Sequence, residues 1–127
     1  IAANRSVTVG GNKTETVAKA KAETIGLAKA LSIGLGYQTS VGGAMNTTVG
    51  LSMSEQVGLI KNVLVGQGYG VKVGTTYELT ATDAIRLQVG KASLTMTKDG
   101  KVTIVGTEFL FDASGPVQIN GKDIDLN

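Results

Sequence analysis

The sequence contains no cysteine, no histidine and no tryptophan, and only one proline among its 127 residues. Without cysteine there are no disulfides and no thiolate metal sites. Without histidine the chain lacks both the side chain that titrates nearest neutral pH and the commonest metal ligand. Aromatic residues are few, two Phe and three Tyr, and the formal charge is only +2. Stacking platforms and a basic face are therefore both missing, and no nucleic-acid partner is expected. No apolar run is long enough to span a bilayer as a helix, and no signal-peptide pattern is present. The chain starts at Ile1 rather than Met, which reads as a piece cut from a longer protein. Glycine is what the chain has in plenty, 18 residues beside 42% hydrophobic ones. That balance is too aliphatic for disorder and too poor in aromatics for an ordinary close-packed globule.

The glycines are not scattered. Val9-Gly10, Val17-Ala18, Ile25-Gly26, Ile33-Gly34, Val41-Gly42, Val49-Gly50, Val57-Gly58, Val65-Gly66 and Val73-Gly74 recur every eight residues without a slip. The series fades at Ala81-Thr82, returns at Val89-Gly90, lapses at Thr97-Lys98 and returns at Val105-Gly106. A repeat of this kind governs the fold more than local propensity does. An octad precesses by about 80° per repeat on a helix and cannot keep one face buried there. On a strand, where side chains alternate, it returns to the same face every time. Parity decides between the two. From Val7 to Val89, odd positions carry 26 bulky apolar residues and even positions two, Ile60 and Leu64. Residues 15–34, "ETVAKAKAETIGLAKALSIG", have the composition of a helix. Their Val17, Ile25 and Ile33 nevertheless keep the strand parity, so extended chain is expected.

Each octad reads as a strand of about five or six residues with a corner at the glycine, whose backbone freedom suits a corner. A single such strand cannot bury its apolar face, and single-chain solenoids use other repeat lengths. Three chains wound about one axis fit. Each octad crosses one face of a triangular prism, and the other two chains fill the intervening levels about 4.8 Å apart. The expected fold is thus all-β, an intertwined homotrimeric triple-stranded β-helix on the order of 60 Å long. Its expected trimer core is Val9, Val17, Ile25, Ile33, Val41, Val49, Val57, Val65, Val73, Val89 and Val105. Glu15, Glu23 and Glu55 share the parity of that core, so whether they face in or out stays open. Lys13, Lys21, Lys29 and Lys61 hold the phase of Tyr37, Met45, Met53, Tyr69 and Tyr77, expected beyond the corner on the outside. Pairing of these Glu and Lys residues between stacked strands is expected.

The pattern changes after Gly90. In "KASLTMTKDGKVTIVG" the apolar Leu94, Met96, Val102 and Ile104 are even-numbered, so a one-residue reset is expected near Lys91 or Ala92. Asp99-Gly100 is a hairpin signal. Within an octad shaft, a corner leading to the next strand is the expectation there. The chain therefore divides into an octad shaft over 1–90, a distal shaft with changed register over 91–112, and a C-terminal tip over 113–127. The tip contains the sole proline and the series Ile119, Ile124, Leu126.

The Val-Gly octads, "SLTMTKDGKVTIVG" and the ending "GPVQINGKDIDLN" together resemble the C-terminal needle of VgrG, the type VI secretion spike, of enterobacterial type. The resemblance implies a membrane-puncturing trimeric spike whose shaft transmits sheath-driven force and contacts a target membrane transiently. It also implies a PAAR-repeat cap protein at the tip, with secretion tube and effectors joined through N-terminal domains outside this chain. Such a spike is assembled in the bacterial cytoplasm and propelled into the target cell. Val117, Ile119, Asn120, Gly121, Ile124 and Leu126 are the expected cap-docking residues, with closure of the apolar core as the plainer role for them. Some phage spikes hold a metal at the tip with histidines; this chain has none, so no metal and no cofactor are expected. Asp123 and Asp125 read as solvated carboxylates. A trimeric stalk of a phage tail spike or bacterial adhesin is the alternative. An enzyme is not expected, since Glu15 and Glu23 recur at the repeat spacing instead of forming a unique carboxylate pair.

Overall fold

A computed structural model describes residues 3–126, and among them there is no helix. The chain divides into two units, Ile1–Gly58 and Leu59–Asn127. In the first unit, extended segments are broken by bends at 10–11, 18–19, 26–27, 34–35, 42–43 and 50–51. The helix-like composition of residues 15–34 is overridden, and that stretch is extended on either side of its bends. In the second unit the bends continue at 66–67, 74–75 and 82–83. The octad of the sequence is therefore an octad of the backbone. Its corner glycines do not use the freedom expected of them, because only Gly90 and Gly100 have positive φ. The octads turn through ordinary backbone angles.

Before Asp83, no backbone N–H of the described residues donates to a carbonyl of the same chain. Pairing begins with a three-stranded antiparallel meander in the order β1-β2-β3: β1 is Ala84–Val89, β2 is Ala92–Thr97 and β3 is Val102–Val105. This corrects the expectation of a plain corner at Asp99-Gly100, since β2 and β3 form a hairpin there. Gly100 N donates to Thr97 O at 3.0 Å, and Thr97 N to Lys101 O at 3.1 Å. Gly100 itself stands at φ +83°, so the loop is a tight turn closed by a left-handed residue. A second hairpin, unforeseen, joins β1 to β2 through Gly90 and Lys91. Gly90, at φ +52°, holds the first central position of this two-residue loop, where a type II′ turn requires glycine.

The two turns explain the change of parity. Across the two-residue loop Ile85 pairs with Met96 and Leu87 with Leu94, so odd positions of β1 share a face with even positions of β2. Across the second loop Leu94 pairs with Ile104 and Met96 with Val102, and even faces even. One face of the meander is consequently apolar. The other carries Arg86, Gln88, Ser93, Thr95 and Thr103, with Val105 at its end. The reset lies at 90–91, where the chain reverses instead of winding on.

No described residue is buried. The chain exposes 14026 Å². A compact monomer of 13.0 kDa exposes about 6,300 Å² and the unfolded chain about 19,000 Å². A single copy therefore leaves most of its apolar surface uncovered.

Candidate functional site

Where function resides in this chain is a matter of surfaces, and the octads set the first of them. Val9, Val17, Ile25, Ile33, Val41, Val49, Val57, Val65 and Val73 are 45–50% exposed, uniformly from repeat to repeat. The leucines just after a corner, Leu27, Leu35, Leu51 and Leu59, are 96–106% exposed. The Val/Ile phase is thus the one turned toward the backbone, and the corner leucines project away from it. Of the remaining expected core residues, Val105 is half-exposed at the end of β3, and Val89, at the hairpin turn, is far more open.

Ion pairs bridge the corners. Lys21 Nζ lies 2.7 Å from Glu15 Oε1, and Lys29 Nζ lies 2.5 Å from Glu23 Oε1. Six residues of straight extended chain span roughly 20 Å, beyond the reach of the two side chains. The bends at 18–19 and 26–27 bring them together. By strand alternation Glu15 and Glu23 keep the parity of Val17 and Ile25, two residues on. The pairing expected between stacked strands occurs within one chain here. Hydrogen bonds from the two lysines hold both Glu carboxyls below their ordinary range, and the bond to Glu15 raises the Lys21 ammonium. Glu55 and Lys61 have the same six-residue spacing, and each has an interaction of its own.

The second surface is the apolar face of the meander. Ile85 and Leu94 are half-buried, while Leu87, Val102 and Ile104 are exposed on it. Phe109 follows β3, and its ring lies close against Gly106, where a Cβ would stand 3.2 Å from Cζ. Leu87, Leu94, Ile104 and Phe109 line a concavity of about 330 Å³. Glu108 also lines it, and an ion pair lies at the β2–β3 turn. Lys98 N donates to Asp83 O at 3.0 Å and Lys98 Nζ pairs with Asp83 Oδ1 at 3.2 Å, tying the β2–β3 turn to the entry of β1. The Thr97 hydroxyl donates to the Asp99 carboxylate, and that bond is the main reason the Asp99 carboxyl is held low. Sequence reasoning missed this surface, although Gly90-Lys91 between two alternating runs was its signal.

The expected tip residues lie in a segment bent at 114–115 and 122. Val117, Ile119, Ile124 and Leu126 are all exposed. Gly121 backs onto the Asp123 carbonyl oxygen, 3.2 Å from where a Cβ would be. Among the described residues, no three acidic, cysteine or histidine side chains stand close enough to hold a metal ion.

No curated protein matches the chain. Residues 1–26 match the family model of the Gp5 C-terminal repeat, described as three copies. Three copies within 26 residues sit close to the eight-residue spacing of the bends at 10–11 and 18–19. The first octads are similar to the β-helix repeat of a phage spike, and an all-β, spike-like structural chain is what sequence likeness and fold together support.

Proposed function

We propose that this chain is the needle segment of a contractile-injection spike, of the VgrG kind with enterobacterial character. Three copies wind into a triangular β-helical shaft. The observation that carries this reading is the long run of extended, octad-bent backbone before Asp83 with no hydrogen-bond partner in its own chain. Backbone donors and acceptors that leave water must be paired. An extended strand finds such pairing only beside another strand, and a bare edge of this length is an open template. Two further copies meet that demand along the whole run. They also cover the Val/Ile phase, at roughly 1.5–3 kcal/mol for each side chain buried. The Gp5-type repeat in residues 1–26 supports the same assembly.

In this reading the protein performs no reaction. Axial force loads many interchain hydrogen bonds together, each worth about 0.5–1.5 kcal/mol net. The tip residues Val117, Ile119, Asn120, Gly121, Ile124 and Leu126 present a flat end to a conical PAAR-repeat cap. Tube and effectors join through N-terminal domains, and the spike is assembled in the bacterial cytoplasm and driven through a target membrane. The Gp5-type match also favours a second reading, a phage tail spike stalk. Cap binding separates the two. On the first reading one PAAR-repeat protein co-elutes with each trimer, and Ile119→Asp abolishes this without changing the trimer's mass. An intact trimer that binds no such cap fits the stalk.

A further inference from the structure

We propose that the meander over 84–105 brings the three copies together and sets their register, its apolar face meeting the same face of the two other copies. The proposal rests on the trimeric reading above and adds where assembly starts.

Three observations carry it. First, the meander is the segment in which the backbone pairs within one chain. Its loops are short, so closing them costs little entropy and no search for a partner. Hairpins of this kind close in about 1–10 μs. On the trimeric reading the octads must wait for two other chains before their backbone groups exchange water for protein partners. Second, the strand residues on the apolar face of the meander are all uncharged, and Glu108, beyond β3, is the one charged residue lining the concavity there. Ile85, Leu87, Leu94, Met96, Val102 and Ile104 share that face, and Arg86 lies on the other side. An acidic peptide or a nucleic acid finds no complement there. A small sheet with one bare apolar face is marginal alone and needs a cover of the same character.

Third, the meander keeps the octad grid. Its turns at 90–91 and 98–99 continue the eight-residue series of bends ending at 82–83, and the bends at 107, 114–115 and 122 resume it. Each strand with its turn therefore occupies one octad. Three strands stacked on one prism face rise by three spacings of about 4.8 Å. A wound chain rises by the same amount over three octads, in one full circuit. The meander thus replaces one circuit of winding without changing the rise: each copy fills one face alone, and three copies close the prism with their apolar faces inward. The free edges of β1 and β3 then serve as templates for the neighbouring octads. Register is fixed at this level because no chain threads between the others.

The test is refolding of the full chain from denaturant, with trimer formation followed by light scattering and pulse-labelled amide exchange. Peptides from 84–105 should gain protection before peptides from 9–82. Leu94→Ser should slow trimer formation by about tenfold, while Val41→Ser in an octad should speed dissociation and leave formation within about twofold. The labelling order needs no variant to fold. Octads that protect first, or a Leu94→Ser chain that assembles at the wild-type rate, overturn the proposal and leave the trimer standing. A chain that stays at one chain mass at every concentration removes the trimeric reading and the proposal together. A trimer that forms normally while a different apolar molecule occupies the meander face also overturns it.

Discussion

The octads before Asp83 and the meander after it obey one eight-residue grid and make opposite uses of it. In the octads every corner keeps ordinary backbone angles, and the chain moves on without meeting itself. In the meander a glycine with positive φ stands on one grid point, Gly90, and another, Gly100, just past the next, and the chain reverses onto itself. The same octad spacing thus serves one region whose backbone finds no partner in its own chain and one that pairs alone. Period sets the length of a strand, whereas the backbone angle at the corner sets which strand lies beside it.

The comparison breaks most decisively at the Val/Ile phase. Val41→Asp should abolish the trimer, because an unpaired buried charge costs about 3–5 kcal/mol and each copy contributes one. Thr48→Asp, on the opposite face of the octad beside Val49, should leave the mass unchanged. Sedimentation of the two variants side by side reads the difference, and a trimer that tolerates Asp at 41 would place that phase outside the core.

The glycines give the next largest effect. Gly100→Ala forces a Cβ into the left-handed region and should cost about 1–2 kcal/mol per chain, seen as a lower denaturation midpoint. Gly42→Ala sits at a corner with negative φ and open space around it within its own chain. It should be neutral or stabilising by a few tenths, about 0.4 kcal/mol, through the unfolded state. A cost at Gly42 above that at Gly100 would mean that a neighbouring chain presses against the octad corner.

This contrast marks how far the sequence could be read. Extended chain in place of helix was legible at residues 15–34, because parity over many octads outweighs the alanines and lysines in one of them. Corner spacing was legible for the same reason. The hairpin at Asp99-Gly100 was not separable from a corner, since both fall on the grid and period-two alternation is identical in either. Gly90-Lys91 had the chemistry of a two-residue turn, yet it also fitted the Val-Gly series. The side taken by Glu15 and Glu23 was open because alternation names a face without saying which side of the bend it occupies. The ion pairs show that each Glu meets the Lys six residues on across a bend.

The smallest predicted effect lies in those pairs. Glu15 and Glu23 titrate below their ordinary value of 4.5 because Lys21 and Lys29 donate to them. A carboxylate with a depressed folded-state pKa contributes stability above its unfolded value, and that contribution is lost as pH falls through the folded one. The corner pairs should therefore hold from neutral pH down to about 4.5 and weaken below it, modestly, since both partners are exposed. Carbon-detected NMR titration of the Glu15 carboxyl should show a depressed midpoint that returns to the ordinary range in Lys21→Gln. An unchanged midpoint would remove the pair from the account.

The central claim is that the octads are completed by other copies of the same chain. Multi-angle light scattering over a concentration series tests it most directly. The account predicts three times the chain mass of 13.0 kDa, held on dilution until the chains separate and unfold together. A folded particle of one chain mass, with a β-type circular dichroism spectrum, would contradict it.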